Sequence, residues 1–394
     1  MTVRCSLFRI AWLAAALTPL PAHALDDAIG RALFRRAWVP APSSTLSNDG
    51  LGPLFNARSC AACHEGLDRK PVAATGGVVV GEHLVLRLSD RDGHPDPVYG
   101  RQLQTGSVAG VDPEGTVTFR DGRYQASALA YGDMAGETRV GARVAPALRG
   151  LGALESVPDE AILAGANNRA RTADGVTGRV NWVTDLNGHR RVGRFGWKAS
   201  AASISDQVET AFLLDLGLST KGHPRESGDC TAGQAACLGA PHGGDASAPE
   251  MSEAIVARIS TYLAGIAPPV TPDADPRGLH LFEATGCAGC HRPSLPGARG
   301  PVPAFTDLLL HDLGPRTDGG ATDPGVAPSE WRTAPLWGLS RIVEAGAGFL
   351  HDGRAATIEE AIAFHGGEAD RAALGFRSLP ERDRQRLLIF LRAL

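Results

Sequence analysis

Two short stretches of this chain pair cysteine with histidine at one fixed spacing. Residues 54–64 read LFNARSCAACH, and residues 281–291 read LFEATGCAGCH. In each, two cysteines stand three apart and a histidine follows the second directly. Cys-x-x-Cys-His is the attachment signature of c-type haem. On a helical turn the two thiols lie on one side and reach both vinyl groups as thioethers, while the adjacent imidazole meets the iron. A zinc site would need further ligands at short spacing, and none follow either motif. A thioredoxin-like pair belongs in a βαβ setting, which is absent here. The motifs therefore predict two covalently bound haem c groups. Cys60 and Cys63 would hold one with His64 as axial ligand, and Cys287 and Cys290 the other with His291.

The elements that must position these residues also come twice. Arg143-Val144-Ala145-Pro146 is echoed by Arg332-Thr333-Ala334-Pro335. Phe195-Gly196-Trp197-Lys198-Ala199 leads into SAASISDQVETAF, and Phe349-Leu350-His351-Asp352-Gly353 leads into RAATIEEAIAFH. Each half closes on an apolar-striped helix, over about 252–265 with Ile255, Ile259, Tyr262 and Leu263, and over about 381–394 with Leu387, Leu388 and Leu391. Landmarks repeated in one order indicate a duplicated module. The expected fold is mainly α: two tandem cytochrome c-like haem modules, 25–269 and 274–394, with VTPDADPRG as linker between them. The first copy is longer. A β-rich insertion is expected over about 76–135, and a hairpin over about 178–197 with Asn187-Gly188 at its turn.

Bulk properties set the surroundings. The chain has 394 residues, 43% of them apolar, and its 48 glycines and 27 prolines point to a loop-rich protein. Residues 1–24 read as a cleaved export signal. Arg4 and Arg9 form its positive start, 10–17 its short apolar run, and Ala22-His23-Ala24 its cleavage site. Removing the two arginines takes the net charge from −4 to −6. That acidity gives no reason to expect nucleic acid as a partner, and no later stretch reads as a transmembrane anchor. Of seven cysteines, Cys5 leaves with the signal. Export makes a disulfide the expected state of Cys230 and Cys237, which lie in a polar loop, with a metal or redox pair as the alternative.

Longer strings now resemble a known family. DGLGPLFNARSCAACH, DPVYGRQLQ, RVAPALRGLGALE, GRFGWKA, TDLLLHDLGP, RTAPLWGL and FLHDGRAATIEEAIAFHGGEA are similar to the bacterial di-haem oxidoreductases, also described as peroxidases or thiol oxidoreductases. The resemblance implies a periplasmic pair of cytochrome c modules. More distantly, the layout resembles di-haem cytochrome c peroxidases and MauG-type enzymes. There one haem is an open or opening peroxide site, and the other relays electrons from a small donor protein. This sequence departs from those relatives at informative positions. His365 stands where a methionine usually ligates the second haem, so it is the candidate sixth ligand there. Phe195 and Ser205 stand where a Gln and a Glu flank the peroxide site, with Asp206 and Glu209 near but shifted, which argues against efficient peroxide cleavage.

Other residues carry two readings each. His351 could ligate iron or hydrogen-bond near a haem edge, and the second is favoured. His311 reads as a contact to the haem periphery or a propionate. His83 is a surface residue or a sixth ligand of the first haem. Trp337, Trp197 and Lys198 are packing partners of a porphyrin or aids to electron passage. A calcium ion is conceivable by analogy, but no EF-hand-like spacing supports one.

The expected function is a peroxidase-like di-haem oxidoreductase. A small cytochrome c or cupredoxin would supply electrons, and hydrogen peroxide or another small oxidant would receive them. A pure electron-transfer cytochrome is the alternative. A thiol–disulfide enzyme is a third reading, but haem attachment would consume Cys60 and Cys63. The intact mass of the exported chain should exceed the signal-cleaved polypeptide by two haem groups. A mass equal to the bare polypeptide would refute covalent attachment.

Overall fold

The computed structural model describes residues 22–45, 48–169, 175–244, 248–270 and 275–394. Residues 1–21 of the expected export signal and 271–274 of the expected linker lie outside them. No described helix is long and apolar enough to cross a membrane.

The helix Glu253–Gly265 starts at Ser252, whose hydroxyl accepts the Ile255 N–H. It buries Val256, Ile259, Tyr262 and Leu263 against the helices Ala22–Arg35 and Ile204–Asp215. In the second half, Glu381–Ala393 buries Leu387, Leu388, Phe390 and Leu391 against Pro276–Ala284. Each side chain so buried is worth roughly 1.5–3 kcal/mol. The Cys60–Cys63 turn packs on the first of these cores, and Cys287 and Ala288 on the second.

The repeated sequence adopts repeated local geometry. Phe195 pairs with Ala201, and Phe349 with Ala355, each as an isolated antiparallel bridge. Ser203 then caps Ile204–Asp215, and Thr357 caps Ile358–Phe364. Gly150 and Gly338 both sit at φ 78°, in the left-handed region that glycine tolerates, and each opens a short helix.

The expectation of a mainly α chain of two tandem cytochrome c-like modules is corrected. The structure is 32% helical and 18% strand, with its strands spread over many small sheets. One reason is the length of the insertions in the first half. Ala73–Thr75, Val78–Val80, Thr116–Arg120 and Arg123–Ser127 form a four-stranded antiparallel sheet. Leu84–Ser89 pairs with Arg139–Val144 over six residues, and Trp182–Thr184 pairs with Arg190–Val192 across Asn187-Gly188. Strands also arise where the sequence carried no strand signal, as in Leu310–Asp312 against Glu330–Arg332. The second reason is packing. Leu295, Val302, Ala304, Leu308, Leu309 and Trp337 are buried in the same core as Phe34, Phe212 and Tyr262. The first core therefore draws on both halves.

Cys230 and Cys237 are joined as a disulfide, with their Cα atoms 6.2 Å apart. Both are buried beside Leu54 and Val111. The loop that this bond closes is short, so its removal should cost only about 2 to 3 kcal/mol. Denaturant unfolding of the Cys230→Ser/Cys237→Ser double variant against wild type measures this.

Candidate functional site

Ser59 caps the turn Cys60–Cys63, its hydroxyl accepting the Ala62 N–H at 3.1 Å. That turn presents Cys60, Cys63 and His64 to a cavity of about 920 Å³. The volume falls within the roughly 300–1,000 Å³ usual for cofactor pockets. The His64 Nδ1–H donates to the Pro146 carbonyl at 3.0 Å. A carbonyl can only accept, so the lone pair is left on Nε2. Burial pulls this imidazole down to about 4, against the Pro146 bond that raises it, so the ring is neutral at pH 7. A neutral ring with its other nitrogen already bonded is the form that ligates a metal.

The two thiols are held away from thiolate chemistry. Burial first, and Asp215 second, push Cys60 up to about 12, and Cys63 lies well above its ordinary value for the same leading reasons. Thiol–disulfide exchange needs a thiolate near neutral pH, so this environment weighs against that use of the pair.

The helix Ile204–Asp215 lays Gln207, Ala211 and Asp215 along the cavity wall. Asp215 is a carboxyl raised by burial and accepts a hydrogen bond from Gln102 Nε2 at 2.8 Å. Neither Gln207 nor Asp215 was identifiable in advance. The helical spacing 207, 211, 215 was the available signal, but which face met the cavity was unknown.

The second attachment turn is built differently but aims its histidine alike. Gly286, at φ 90°, opens the 3-10 turn Cys287–Gly289. The His291 Nδ1–H donates to the Phe305 carbonyl at 3.0 Å, and burial lowers the ring to about 4. His365 ends the helix Ile358–Phe364, and its Nδ1–H donates to the Ala361 carbonyl at 2.7 Å. Burial lowers this ring as well. The two ring centres lie 6.5 Å apart at 49°. Two imidazoles opposed across one metal at ~2.0–2.1 Å each would put their centres about 6.4 Å apart. The pair thus has a span at which both imidazoles could hold one metal ion.

Other residues singled out in the sequence are brought to different places. Phe195, Trp197, Lys198 and Trp337 all line the first cavity. So does His83, but its Nδ1–H is given to the Cys63 carbonyl at 2.9 Å, which ties it beside the attachment turn. Asp206 caps its own helix with Ser203, and Glu209 accepts from Thr220 and Gly222, so both carboxylates are committed elsewhere. Ser205 is not among the residues lining the cavity. His351 stacks on Trp331 at 3.8 Å and 10°. Burial, then the charges of Arg143 and Arg354, hold that ring well below its ordinary value. Trp331 carried no signal in the sequence beyond its type. Asp90, Asp92 and His94 approach one another within 4.8 Å in a largely exposed turn, which closes on its own backbone N–H groups and carries no further sign of a cation.

His311 is gripped by two carboxylates. It lies 3.0 Å from Asp307 and 2.8 Å from Glu368, and its ring reaches Cys290 Sγ at 3.6 Å. Burial alone would lower this group. The hydrogen bonds to Asp307, Cys290 and Glu368 overcome that and raise it to about 11. The same contact holds Glu368 at about 2.

The family described as "Di-haem oxidoreductase, putative peroxidase" matches residues 119–394. Among solved structures, the hydrazine synthase of Kuenenia stuttgartiensis, pressurised with 20 bar xenon, is 15% identical, with 100% of each chain covered and a TM-score of 0.37. A likeness that low carries no argument about fold or chemistry. No curated protein matches the chain.

The His311 contacts generate a stability prediction. A group raised from 6.5 to about 11 contributes fully below pH 6.5 and loses its contribution as pH climbs toward 11. Asp307→Asn leaves a buried imidazolium with one partner fewer and should cost about 3 to 5 kcal/mol near pH 7. The gap to wild type should narrow as the pH is raised, and chemical denaturation at several pH values checks both size and trend.

Proposed function

The chain belongs to the di-haem oxidoreductases, and on that premise we propose an exported, periplasmic enzyme with two covalently attached haem c groups of unequal ligation. Being haem-dependent follows from the family. The covalent attachment, the count and the division of labour are the proposal.

One observation carries it. The second attachment histidine, His291, faces a second imidazole at 6.5 Å. At the position equivalent to His365, the first copy offers Ala211 to its cavity. A methyl group cannot ligate iron. His291 and His365 would therefore hold one haem iron together, and His64 would hold the other with no histidine offered from the equivalent position. The four cysteines would supply thioether bonds, consistent with Cys60 and Cys63 being thiols poorly suited to exchange.

Haem bound in this way supplies one-electron chemistry, as a closed relay fed by a small cytochrome c or cupredoxin at His291/His365 and as a centre open to hydrogen peroxide or another small oxidant at His64. Within the cavity Asp215 offers a carboxyl that Gln102 holds in place. Unlike Asp206 and Glu209, that carboxyl lines the cavity, as do those of Asp68, Glu82 and Asp323. Trp337 closes part of the same cavity from the second half of the chain.

Electron paramagnetic resonance of the oxidised protein should show one low-spin haem and one that is high-spin or water-bound. Cyanide should bind the second kind alone. His365→Ala should convert the low-spin signal to high-spin and leave its neighbour unchanged. Two low-spin haems that both ignore cyanide would instead favour a pure electron-transfer cytochrome.

A further inference from the structure

Several basic groups line the first cavity, and one of them, Arg69, has no carboxylate hydrogen-bonded to it among the described residues. Arg69 is 5% exposed, and its Nη2 has no hydrogen-bond partner among the described residues. Burial draws its guanidinium down to about 10. Asp352, the first carboxylate whose charge reaches it, is already ion-paired to Arg354 at 2.6 Å. Arg143, also buried, donates only to carbonyls, those of Ala142, Gly319 and Ala321. Lys198 Nζ donates to the carbonyls of Ala327, Pro328 and Glu330. Burial, then Arg143, pulls Lys198 to about 6, yet three accepting carbonyls use all three protons of an ammonium, so the geometry suits the charged form.

Burying a guanidinium without an anion costs several kcal/mol. Proteins avoid this by pairing the group, and among the described residues no carboxylate does so for Arg69. Its planar fork suits a carboxylate in particular. The side chain lies 5.7 Å from the Trp197 ring, which restricts where the fork can point. We propose that Arg69 is a carboxylate-binding site inside the His64 cavity, taken by a propionate of the haem attached there. This rests on the function proposed above. The same chemistry would also accept a free small carboxylate, and the test separates the two sources.

The experiment uses the full exported chain as wild type, Arg69→Gln and Arg69→Lys. A pyridine haemochrome assay first counts haem in each. Redox titration then reads both midpoint potentials, and calorimetry with acetate reads free-anion binding. For a propionate, Arg69→Gln with both haems present should lower one midpoint and leave the other in place. Arg69→Lys should recover most of the shift, and acetate should not bind wild type. If acetate binds wild type and Arg69→Gln weakens it at least tenfold, the carboxylate site stands with a free anion as its occupant. Loaded Arg69→Gln with wild-type midpoints and no acetate binding in any form overturns the proposal. Should Arg69→Gln fail to fold, Arg69→Met takes its place, with the same expected and refuting results. Wild type without haem would overturn the proposed function, and acetate calorimetry on that protein would still decide the carboxylate site.

Discussion

A ring N–H given to a backbone carbonyl decides what each histidine of these centres can do. His64 donates to Pro146, His291 to Phe305 and His365 to Ala361. A carbonyl only accepts, so in all three the proton sits on Nδ1 and the lone pair on Nε2. Burial then keeps the rings neutral, which a metal ligand must be. Without those carbonyls the rings could rotate or take the other tautomer, and a cysteine pair beside them would be only a thiol pair. The surrounding structure serves this constraint. Ser59 and Gly286 set the attachment turns, and the two hydrophobic cores hold those turns in place.

The charges around the first cavity follow a second logic. Arg69, Arg143 and Lys198 come from separate segments, yet the last two converge on one aromatic ring, with Lys198 3.6 Å and Arg143 4.7 Å from the Trp331 centroid. His351 covers the same indole by stacking. Two cations beside a ring stabilise its neutral π face and oppose removal of an electron from it. Trp331 is thus suited to positioning the loop of His351 and Asp352, where it is buried between the two halves. Trp337, which the sequence offered for the bridging role, lies in the wall of the cavity itself.

How much was legible depends on how far apart the interacting residues lie in the chain. Contacts across a few residues could be read. Asn187-Gly188 turns its hairpin, and Cys-x-x-Cys-His forms a compact turn twice. The apolar stripes of Glu253–Gly265 and Glu381–Ala393 are buried because a helix repeats its face within four residues. The inequality of the two copies, His365 against Ala211, is likewise a property of the sequence, since it needs only the repeat to be aligned.

The balance of helix and strand was decided by tertiary structure. Leu310–Asp312 becomes a strand because Glu330–Arg332 lies beside it, and the alternating pattern of so short a run says nothing about a partner. The carbonyl that orients His64 is 82 positions away, and the carboxylate that grips His311 with Asp307 is 57 away. That Asp206 and Glu209 stay out of the cavity while Asp215 enters it is decided in the same way, since Ser203 and Thr220 are the partners that hold the first two. Residue type and spacing determine which atoms can act as ligands, turns and caps. Which of those atoms meet depends on chain segments that only packing brings together, because burial and hydrogen-bond satisfaction are settled among distant residues at once.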